Sequence, residues 1–465
     1  MAAGPLCIYE LLIGNEKYIV TGRQLRTGAA LASEEHGSLK SVRVRPASNV
    51  LGSVAFPGDK SISHRYGMLA ALAAGTSRFR NFSTGADCAS TLACMEALGA
   101  KITRQTDGAI EIEGTAGHLH APSQALDCGN SGSTMRMLSG ILAAQSFESE
   151  LTGDASLSRR PMRRVVDPLQ QMGAQIETTD GHAPLRVRGS ALRALDYVTP
   201  VPSAQVKSSV LFAGAFAEGD TSVDESVRTR DHGEIALKAF GAHVERRGNR
   251  VTVRGGAKFS AIEALVPGDI SSAAFFLCAA ALFPKSNLVI DSVLLNPTRA
   301  AILDVLASMG GKPKFLQVQE QHGELIGTIG MDPAGLTGLR ISGALTASLI
   351  DELPVLAAIG PYTRYGIEIR DAKELRVKES DRIAVVCSNL RAMGAEVEEF
   401  DDGLRVKGSQ RLHGAEIDSH DDHRIAMAFA VAALRAEGET TINGAECVAI
   451  SYPEFFETLE KVTER

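Results

Sequence analysis

The chain has 465 residues, of which 44% are hydrophobic and 22% charged, and it carries a formal net charge of −7. This balance is typical of a globular protein with two or three domains, and the interleaved acidic excess disfavours nucleic acid and anionic membranes as partners. The longest apolar run, residues 273–283, is too short to span a bilayer, and the start lacks the charged region of a signal peptide. We therefore expect a cytoplasmic protein that binds neither nucleic acid nor membrane.

The first 40 residues match no pattern found later in the chain, and we interpret residues 1–40 as an appended segment that we expect to be flexible. A strand, SVRVRP, follows at residues 41–46.

Residues 57–65, PGDKSISHR, predict a turn that delivers cationic and hydroxyl side chains to the start of a helix. The free N–H groups and the positive end of the helix dipole favour a phosphate or carboxylate there. Ser61 and Arg65 are four residues apart and share a helix face. An ordinary capped helix with a solvated cationic face is the alternative, and this segment alone leaves the two open.

An amphipathic helix that ends in Gly-Ala, followed by two strands around a polar turn, recurs along the chain. Clear copies begin at Met95, Leu169, Leu237 and Leu390, and a weaker copy begins at Leu306. The spacing of about seventy residues indicates whole α/β subdomains instead of solenoid repeats. In each copy, the glycine at the helix end is expected to take the left-handed conformation.

The last predicted helix, residues 453–462, has no strand after it, so we expect the strand at residues 41–46 to complete the final unit. One domain is then discontinuous, with residues 41–57 plus 267–465, and the other spans residues 58–266. The chain crosses between them at two similar Pro-Gly-Asp tracts, residues 57–59 and 267–269.

Two further cationic segments are LRVKESDR at residues 375–382 and HDDHR at residues 420–424. In the first of them, an acid and two cations lie close enough in sequence to converge on one small charged substrate. We expect no metal site, because the adjacent residues of HDDH cannot all face one ion and the seven cysteines have no ligand spacing. Reduced, buried thiols fit this pattern.

Together, the motifs resemble those of the 5-enolpyruvylshikimate-3-phosphate (EPSP) synthase family of enolpyruvyl transferases, in order from about Ser41 to the C-terminus. The matching motifs are PGDKSISHR (57–65), GNSGSTMR (129–136), GDASLSRRP (153–161), SAQVKS (203–208), TRDH (229–232), LIDELP (349–354), LRVKESDR (375–382) and DDHRIAMAF (421–429). The resemblance implies an inside-out α/β architecture of two domains, each with three βαβαββ subdomains. It also implies transfer of the enolpyruvyl group of phosphoenolpyruvate to the 5-hydroxyl of shikimate 3-phosphate, with release of phosphate and no cofactor.

The resemblance also implies roles for individual residues. The catalytic residues would be Asp351 as the base near the attacking hydroxyl, Glu379 as a proton carrier at the methylene carbon, and Lys60 in contact with both substrates. Shikimate 3-phosphate would contact Lys60, Ser61, Arg65, Ser203, Ala204, Gln205, Arg230, Asp351 and Lys378. Phosphoenolpyruvate would contact Lys60, Gly132, Arg160, Gln205, Arg382 and Arg424.

Some of these residues also have plain structural interpretations. Asp351 lies in an apolar stretch, where a lone acid is more often a helix cap than a base. His64 and His423 are expected to be structural or to support the site from behind. Since carboxylates relay protons near neutral pH only when their surroundings tune them, we expect Asp351 and Glu379 to have unequal environments.

The chain departs from the most familiar family pattern at three positions. Ile450 stands where many members have Lys, which puts one phosphate contact in doubt, Ala204 replaces a Ser, and Glu374 replaces an Asn. Gly132 is the position whose conversion to Ala is associated with insensitivity to glyphosate in the family, so we expect inhibition by glyphosate. We also expect a monomer.

Two rival functions remain. The sister enzyme that transfers enolpyruvyl to UDP-N-acetylglucosamine uses a Cys-bearing loop, whereas the corresponding segment here, GDASLSRRP, has no Cys. The other rival is an RNA-end-processing enzyme of related fold or a non-catalytic anion-binding relative. An RNA reader should have a basic surface and aromatic stacking platforms, but this chain is acidic and has no Trp. A degenerate binder should have lost Asp351 or Glu379.

Overall fold

The computed structural model describes residues 7–13, 16–22, 41–332 and 335–465. The chain divides into two compact units, Met1–Ser38 and Leu39–Arg465. In the first unit, strands β1 (Cys7–Ile13) and β2 (Glu16–Gly22) pair as an antiparallel hairpin. Most of residues 1–40 otherwise lie outside the described residues, so the flexibility of this segment stays a prediction.

The second unit contains many short strands and helices. Its strands are β3 (Ser41–Val44), β4 (Asn49–Ala55), β5 (Thr76–Arg80), β6 (Lys101–Arg104), β7 (Ile110–Glu113), β8 (Leu126–Asp127), β9 (Glu148–Thr152), β10 (Gln175–Thr179), β11 (His182–Arg188), β12 (Asp196–Val198), β13 (Asp220–Asp224), β14 (Val244–Arg247), β15 (Arg250–Arg254), β16 (Glu263–Leu265), β17 (Asn287–Leu294), β18 (Lys312–Gln321), β19 (Glu324–Asp332), β20 (Leu339–Ile341), β21 (Ile367–Ile369), β22 (Val397–Phe400), β23 (Gly403–Val406), β24 (Glu416–Asp418), β25 (Thr440–Asn443) and β26 (Thr463–Glu464). Its α-helices are α1 (Lys60–Leu72), α2 (Ala86–Ala97), α3 (Gly132–Leu142), α4 (Ala155–Ser158), α5 (Arg163–Met172), α6 (Ala204–Gly214), α7 (His232–Ala239), α8 (Ile270–Ala281), α9 (Ala301–Ser308), α10 (Ala344–Ser348), α11 (Leu353–Ile359), α12 (Arg382–Ala392), α13 (His423–Ala433) and α14 (Phe455–Val462). Short 3-10 helices span Gly360–Tyr362, Lys373–Val377 and Ala445–Ile450.

The repeat predicted from the Gly-Ala pattern is confirmed. The glycine in each copy has a positive φ, between 87° and 113°, a conformation that residues with a Cβ rarely adopt. An antiparallel strand pair follows each of them: β6 with β7, β10 with β11, β14 with β15, β18 with β19, and β22 with β23. One local signal, a helix that ends at a left-handed glycine, therefore defines the chain reversal in each unit.

Six sheets in the second unit are built on one topology, four of them with four strands, one with β26 as a fifth strand, and one with three strands. In a typical sheet, β12 lies parallel to β13, which pairs antiparallel with β15, and β15 pairs with β14. In the last sheet, β3 pairs antiparallel with β25, so the strand near residue 41 joins the final unit as predicted. The expectation that no strand follows the last helix is wrong, because β26 follows α14 directly and pairs antiparallel with β4. The α/β class and its repeated units are confirmed.

The helices lie inside and the sheets outside. Every residue of α8 and of α13 is buried, as expected for helices that are apolar all round. In β11 buried and exposed residues alternate, so one face of this strand packs on the core and the other faces outward. Gly140 of α3 shows how tightly the inner helices pack, because a Cβ there would clash with the backbone oxygen of Ser209 in α6.

Each of the six sheets takes its strands either from residues 58–266 or from residues 41–57 plus 267–465. The division into two domains at these bounds itself stays a prediction. The two crossing tracts lie side by side: the Asp59 N–H donates to the Pro267 carbonyl over 2.7 Å, and the Asp269 N–H donates to the Pro57 carbonyl over 3.0 Å. Among the described residues, no helix is both long enough and apolar enough to cross a membrane.

Candidate active site

A cavity of about 630 Å³ lies in the second unit, between groups from residues 58–266 and groups from residues 267–465. We name the first group the first wall and the second group the second wall. All of the predicted site residues line this cavity. They are Lys60, Ser61, Arg65, Gly132, Arg160, Ser203, Ala204, Gln205 and Arg230 in the first wall, and Asp351, Lys378, Glu379, Arg382 and Arg424 in the second.

Several helices begin at the cavity. The first residues of α1, α3, α6, α12 and α13 line it: Lys60, Gly132, Ala204, Arg382 and His423. In each of these helices, the preceding Asp or Ser side chain accepts a hydrogen bond from a backbone N–H of the first turn. The helix dipoles thus add partial positive charge to that of the lysine and arginine side chains, and the cavity is suited to small anions.

The start of α1 places the first cations of the first wall. Lys60 Nζ lies 2.9 Å from Asp87 Oδ2. Burial alone would lower the pKa of Lys60, but the carboxylates of Asp87 and Glu379 together outweigh it and raise this pKa. Arg65 donates to Ser208 Oγ and to the Ser61 carbonyl, each over 2.8 Å. Its partners there are neutral oxygens, and burial lowers the pKa of Arg65 to about 10.

Arginines near the starts of α3 and α5 continue this wall. Arg136 donates to Gln205 Oε1 over 2.6 Å, and Arg160 donates to Asn130 Oδ1 over 2.7 Å. Burial, together with the like charges of Arg164 and Arg160, lowers the pKa of Arg136 to about 10. The Nε atoms of Arg136 and Arg160 are buried and have no hydrogen-bond partner among the described residues. The first wall therefore has donor capacity that its own side chains leave unused.

Asp351 lies among four cations. Its carboxylate oxygens are 2.6 Å from an Arg230 nitrogen, 3.4 Å from Arg382, 3.8 Å from Lys378 and 4.0 Å from Arg424. Burial alone would raise the pKa of Asp351, yet these cations hold it well below its ordinary value of 3.8. Asp351 is not the N-cap of α11, which is Glu352, so the helix-cap interpretation of this acid does not apply.

Glu379 is held in a similar way. Its carboxylate lies 2.7 Å from Arg382 and 3.6 Å from Arg160 of the first wall. Arg382 also contacts the buried Asp422 over 2.8 Å, so one guanidinium joins three acidic residues. Burial alone would raise the pKa of Glu379, but Arg382 and its neighbours hold it well below 4.5.

The expectation that Asp351 and Glu379 have unequal environments is wrong for this structure. Their side chains are 15% and 16% exposed, and cations hold both pKa values low. The physical reason is that Arg382 contacts both carboxylates, so the two acids share one source of positive charge.

The two histidines named from the sequence differ in position. His64 is buried behind the cavity, with its Nδ1 2.7 Å from Thr91 Oγ1. His423 lines the cavity, and neither of its ring nitrogens has a hydrogen-bond partner among the described residues. Burial and the charge of Lys60 hold the pKa of His423 well below 6.5, so its ring is neutral near pH 7.

The cavity also contains residues that sequence reasoning did not assign to the site: Asp87, Arg136, Arg164, Arg228 and Arg299. Arg136 ends the motif GNSGSTMR, and Arg164 lies four residues after Arg160, so a search for arginines beside the matched motifs would have found both. Asp87 and Arg299 have no comparable signal.

Two of the three departures from the family pattern lie at the cavity. Glu374 lies 3.0 Å from Arg164, and the Ala204 carbonyl accepts a 3.5 Å hydrogen bond from Arg65. Ile450 is partly buried against the apolar core and is not among the described residues that line the cavity. The doubt about a phosphate contact at this position therefore stands.

Comparisons with known proteins agree with this geometry. The family described as EPSP synthase (3-phosphoshikimate 1-carboxyvinyltransferase) matches residues 44–459. A protein of Koribacter versatilis named 3-phosphoshikimate 1-carboxyvinyltransferase is 84% identical over 427 residues, which are 92% of this chain and all of that protein. A protein of the same name from Solibacter usitatus is 54% identical and covers 91% of this chain and 99% of its own length.

Solved structures give the same result. The EPSP synthase of Acinetobacter baumannii superposes with a TM-score of 0.82 at 41% identity, over 91% of this chain and 98% of its own. The enolpyruvyl transferase NikO from Streptomyces tendae has a TM-score of 0.73 at 19% identity, over 90% of this chain and 96% of its own, and shares the fold. From its sequence, its fold and the extent of these matches, the chain belongs to the EPSP synthase family.

Proposed function

We propose that the chain transfers the enolpyruvyl group of phosphoenolpyruvate to the 5-hydroxyl of shikimate 3-phosphate and releases phosphate, a step on the shikimate route to aromatic amino acids. The observation that best supports this is Asp351, a carboxylate within 4.0 Å of four cations at the wall of a cationic cavity. Each substrate has a carboxylate and a phosphate, which arginines can bind in bidentate fashion and lysines as point charges. The family membership supports the same activity.

Shikimate 3-phosphate would bind across the starts of α1 and α6. Ser203 caps α6, so an anion there would meet free backbone N–H groups as well as the guanidinium of Arg65. Arg230 and Lys378, which both contact Asp351, would approach from its side, and the 5-hydroxyl would then lie near this acid. The proposed contacts are Lys60, Ser61, Arg65, Ser203, Ala204, Gln205, Arg230, Asp351 and Lys378.

Phosphoenolpyruvate would bind beside it, between the two walls. Arg160 is suited to this position because it already reaches Glu379 of the second wall at 3.6 Å and has a buried Nε without a partner among the described residues. The proposed contacts are Lys60, Gly132, Arg160, Gln205, Arg382 and Arg424.

The proton transfers assign different tasks to the two acids. Asp351 would take the proton of the 5-hydroxyl as its oxygen bonds to C2 of phosphoenolpyruvate, while protonated Glu379 gives a proton to the C3 methylene. Glu379 would then take a proton back from C3 as the C2–O bond to phosphate breaks, which restores the double bond, and the leaving phosphate would take up the proton that Asp351 holds. The substrate anions would neutralise the cations around both acids, and so raise the low pKa values of these acids toward the working range.

We also propose that glyphosate occupies the phosphoenolpyruvate site. A Cβ at Gly132 would lie 3.3 Å from Arg136 Nη1 and 3.4 Å from Arg160 Nη1. The glycine therefore leaves the space in front of two anion-binding guanidinium groups open.

The protein is proposed to act as a monomer in the cytoplasm. All the cysteines within the described side chains are buried and unpaired, as expected in a reducing compartment. Light scattering during size-exclusion chromatography would test the monomer, and a mass of about 98 kDa instead of the chain's 49.2 kDa would contradict it.

The experiment that tests the function is phosphate release from phosphoenolpyruvate with either shikimate 3-phosphate or UDP-N-acetylglucosamine as acceptor. We expect release only with shikimate 3-phosphate, and loss of this release in Asp351→Ala. Release only with UDP-N-acetylglucosamine would assign the chain to the sister reaction. No release with either acceptor, from protein that still binds shikimate 3-phosphate in a calorimeter, would indicate a non-catalytic anion-binding relative.

A further inference from the structure

A buried arginine, Arg299, joins the two tracts at which the chain crosses between the walls. It is 2% exposed and donates to Asp59 Oδ2 over 2.8 Å and to Asp269 Oδ1 over 3.2 Å. Asp59 is the N-cap of α1, and Asp269 is the N-cap of α8. One guanidinium thus fixes the N-terminal turn of α1, in the first wall, to the N-terminal turn of α8, which comes from the other part of the chain.

The two carboxylates that Arg299 contacts also hold the backbone around Lys60. Asp59 accepts a hydrogen bond from the N–H of Ile62 over 2.9 Å, which holds the first turn of α1. Asp269 accepts one from the N–H of Lys60 itself over 3.1 Å. The backbone on both sides of the Lys60 side chain therefore depends on two carboxylates that Arg299 holds together.

Arg299 also reaches toward Asp351. Its Nη2 donates to Ser271 Oγ over 2.8 Å, and Ser271 Oγ donates in turn to the buried Glu352 carboxylate. Glu352 is the chain neighbour of Asp351 and lies 3.8 Å from Arg424. A continuous set of buried hydrogen bonds therefore links the start of α1 to the segment that bears the proposed base.

Both terminal nitrogens of Arg299 are occupied by these protein partners, and a weaker 3.4 Å contact joins Nη1 to His232 Nε2. This leaves the guanidinium poorly placed to bind a substrate anion directly. We propose that Arg299 is a positioning residue, which sets Lys60 of the first wall and Asp351 of the second wall at their working separation. This inference rests on the proposed transferase function.

The geometry explains why arginine is needed. A planar guanidinium can donate to two carboxylates and a hydroxyl at once, whereas a lysine ammonium is a point charge that cannot span them in the same fork. Removal of the charge would leave two buried, uncompensated carboxylates at the crossing tracts. Displacement of a catalytic group by about 1 Å can cost about 10²-fold in rate.

The test compares Arg299→Lys and Arg299→Met with Arg78→Met as the control. Arg78 also joins two carboxylates, Asp107 and Glu111, but does not line the cavity. We expect kcat to fall about tenfold in Arg299→Lys and about 10²-fold in Arg299→Met, with partial rescue by lysine as the signature. The affinity for shikimate 3-phosphate, measured by calorimetry, should change less than about threefold because Arg65 and Ser203 remain in place. Arg78→Met should keep wild-type kcat.

A double-mutant cycle separates positioning from general loss of structure. In a Lys60→Arg background, which retains a cation, Arg299→Lys should lower kcat less than about threefold. The reason is that Arg299 acts through Lys60, and Lys60 is already replaced in this background. An equal cost in both backgrounds, or a kcat per folded molecule that stays at the wild-type value, would overturn the proposal.

If the Arg299 variants do not fold, Asp269→Asn removes one arm of the contact and leaves the other. A kcat loss of about tenfold with unchanged binding would support the proposal, and an unchanged kcat would contradict it. Failure of the proposed function is a different outcome, because the wild-type protein would then release no phosphate with shikimate 3-phosphate.

Discussion

In the first wall of the cavity, Arg65, Arg136 and Arg160 donate mainly to hydroxyl, amide and carbonyl oxygens. In the second wall, Arg382 and Arg424 face carboxylates instead. Neutral partners orient a guanidinium without cancelling its charge, so the first wall is prepared to attract substrate anions. Paired cations hold acids in their ionised form, so the second wall is prepared for proton transfer. Lys60 and Arg230 of the first wall also pair with carboxylates, Asp87 and Asp351, so the division is one of degree: the first wall mainly binds, and the second wall mainly carries the two acids.

The largest effect should come from the second wall. Asp351→Asn keeps the size of the side chain but removes the base, so we expect kcat to fall about 10³-fold, within the range for loss of a general base. Steady-state phosphate release measures this loss. Asp220→Asn, at an exposed position that does not line the cavity, serves as the control. A loss of less than tenfold in Asp351→Asn would show that the base lies elsewhere.

A change in the first wall should mainly weaken binding. In Arg65→Lys the positive charge stays, but the pair of hydrogen bonds that the guanidinium donates to Ser208 Oγ and to the Ser61 carbonyl is lost. We expect the KM for shikimate 3-phosphate to rise about 50-fold with kcat reduced less than about fivefold. Kinetics with phosphoenolpyruvate saturating would measure both values. A fall in kcat with unchanged KM would reverse the roles that we assign to the two walls.

The addition of a single methyl group at Gly132 tests the first wall. Gly132→Ala would place its Cβ against Arg136 and Arg160, so we expect glyphosate inhibition to weaken at least tenfold and the KM for phosphoenolpyruvate to rise less. Inhibition constants measured against phosphoenolpyruvate would show this. Gly140→Ala is unsuitable as a control because it would disrupt helix packing, but Gly335→Ala, where a Cβ meets no atom within 4 Å and φ is not positive, gives a comparison outside the cavity.

The smallest expected effect concerns Asp87. Together with Glu379, its carboxylate outweighs burial and raises the pKa of Lys60, so in Asp87→Asn burial and the charge of Arg424 should lower this pKa. Lys60 then loses its proton at lower pH, and the alkaline limb of kcat/KM for phosphoenolpyruvate should move down by about one pH unit. The Asp107→Asn variant should keep the wild-type profile. An unmoved or upward-shifted limb in Asp87→Asn would mean that Lys60 does not govern it.

Much of this molecule follows from local sequence signals. The left-handed glycines after each amphipathic helix predict the repeated hairpins, and the Pro-Gly-Asp turn with its cations predicts the anion site at the start of α1. Both signals are local, since a few adjacent residues determine the backbone.

Other features depend on contacts between distant residues. Arg299 and Asp59 are 240 positions apart, and no motif near either residue indicates that they meet. The equal environments of Asp351 and Glu379 arise because Arg382 contacts both acids, which requires the folded positions of three segments. Pairing of charges across the cavity could therefore not be predicted, even though Asp351, Glu379 and Arg382 themselves were.

The division between a binding wall and a chemical wall is tested most directly by calorimetric titration of shikimate 3-phosphate into Asp351→Asn and Arg65→Lys. For Asp351→Asn we expect an affinity within about fivefold of wild type, because the loss of this carboxylate leaves the surrounding cations in place. For Arg65→Lys we expect the affinity to fall about 50-fold. Equal losses, or a larger loss in Asp351→Asn, would contradict the division.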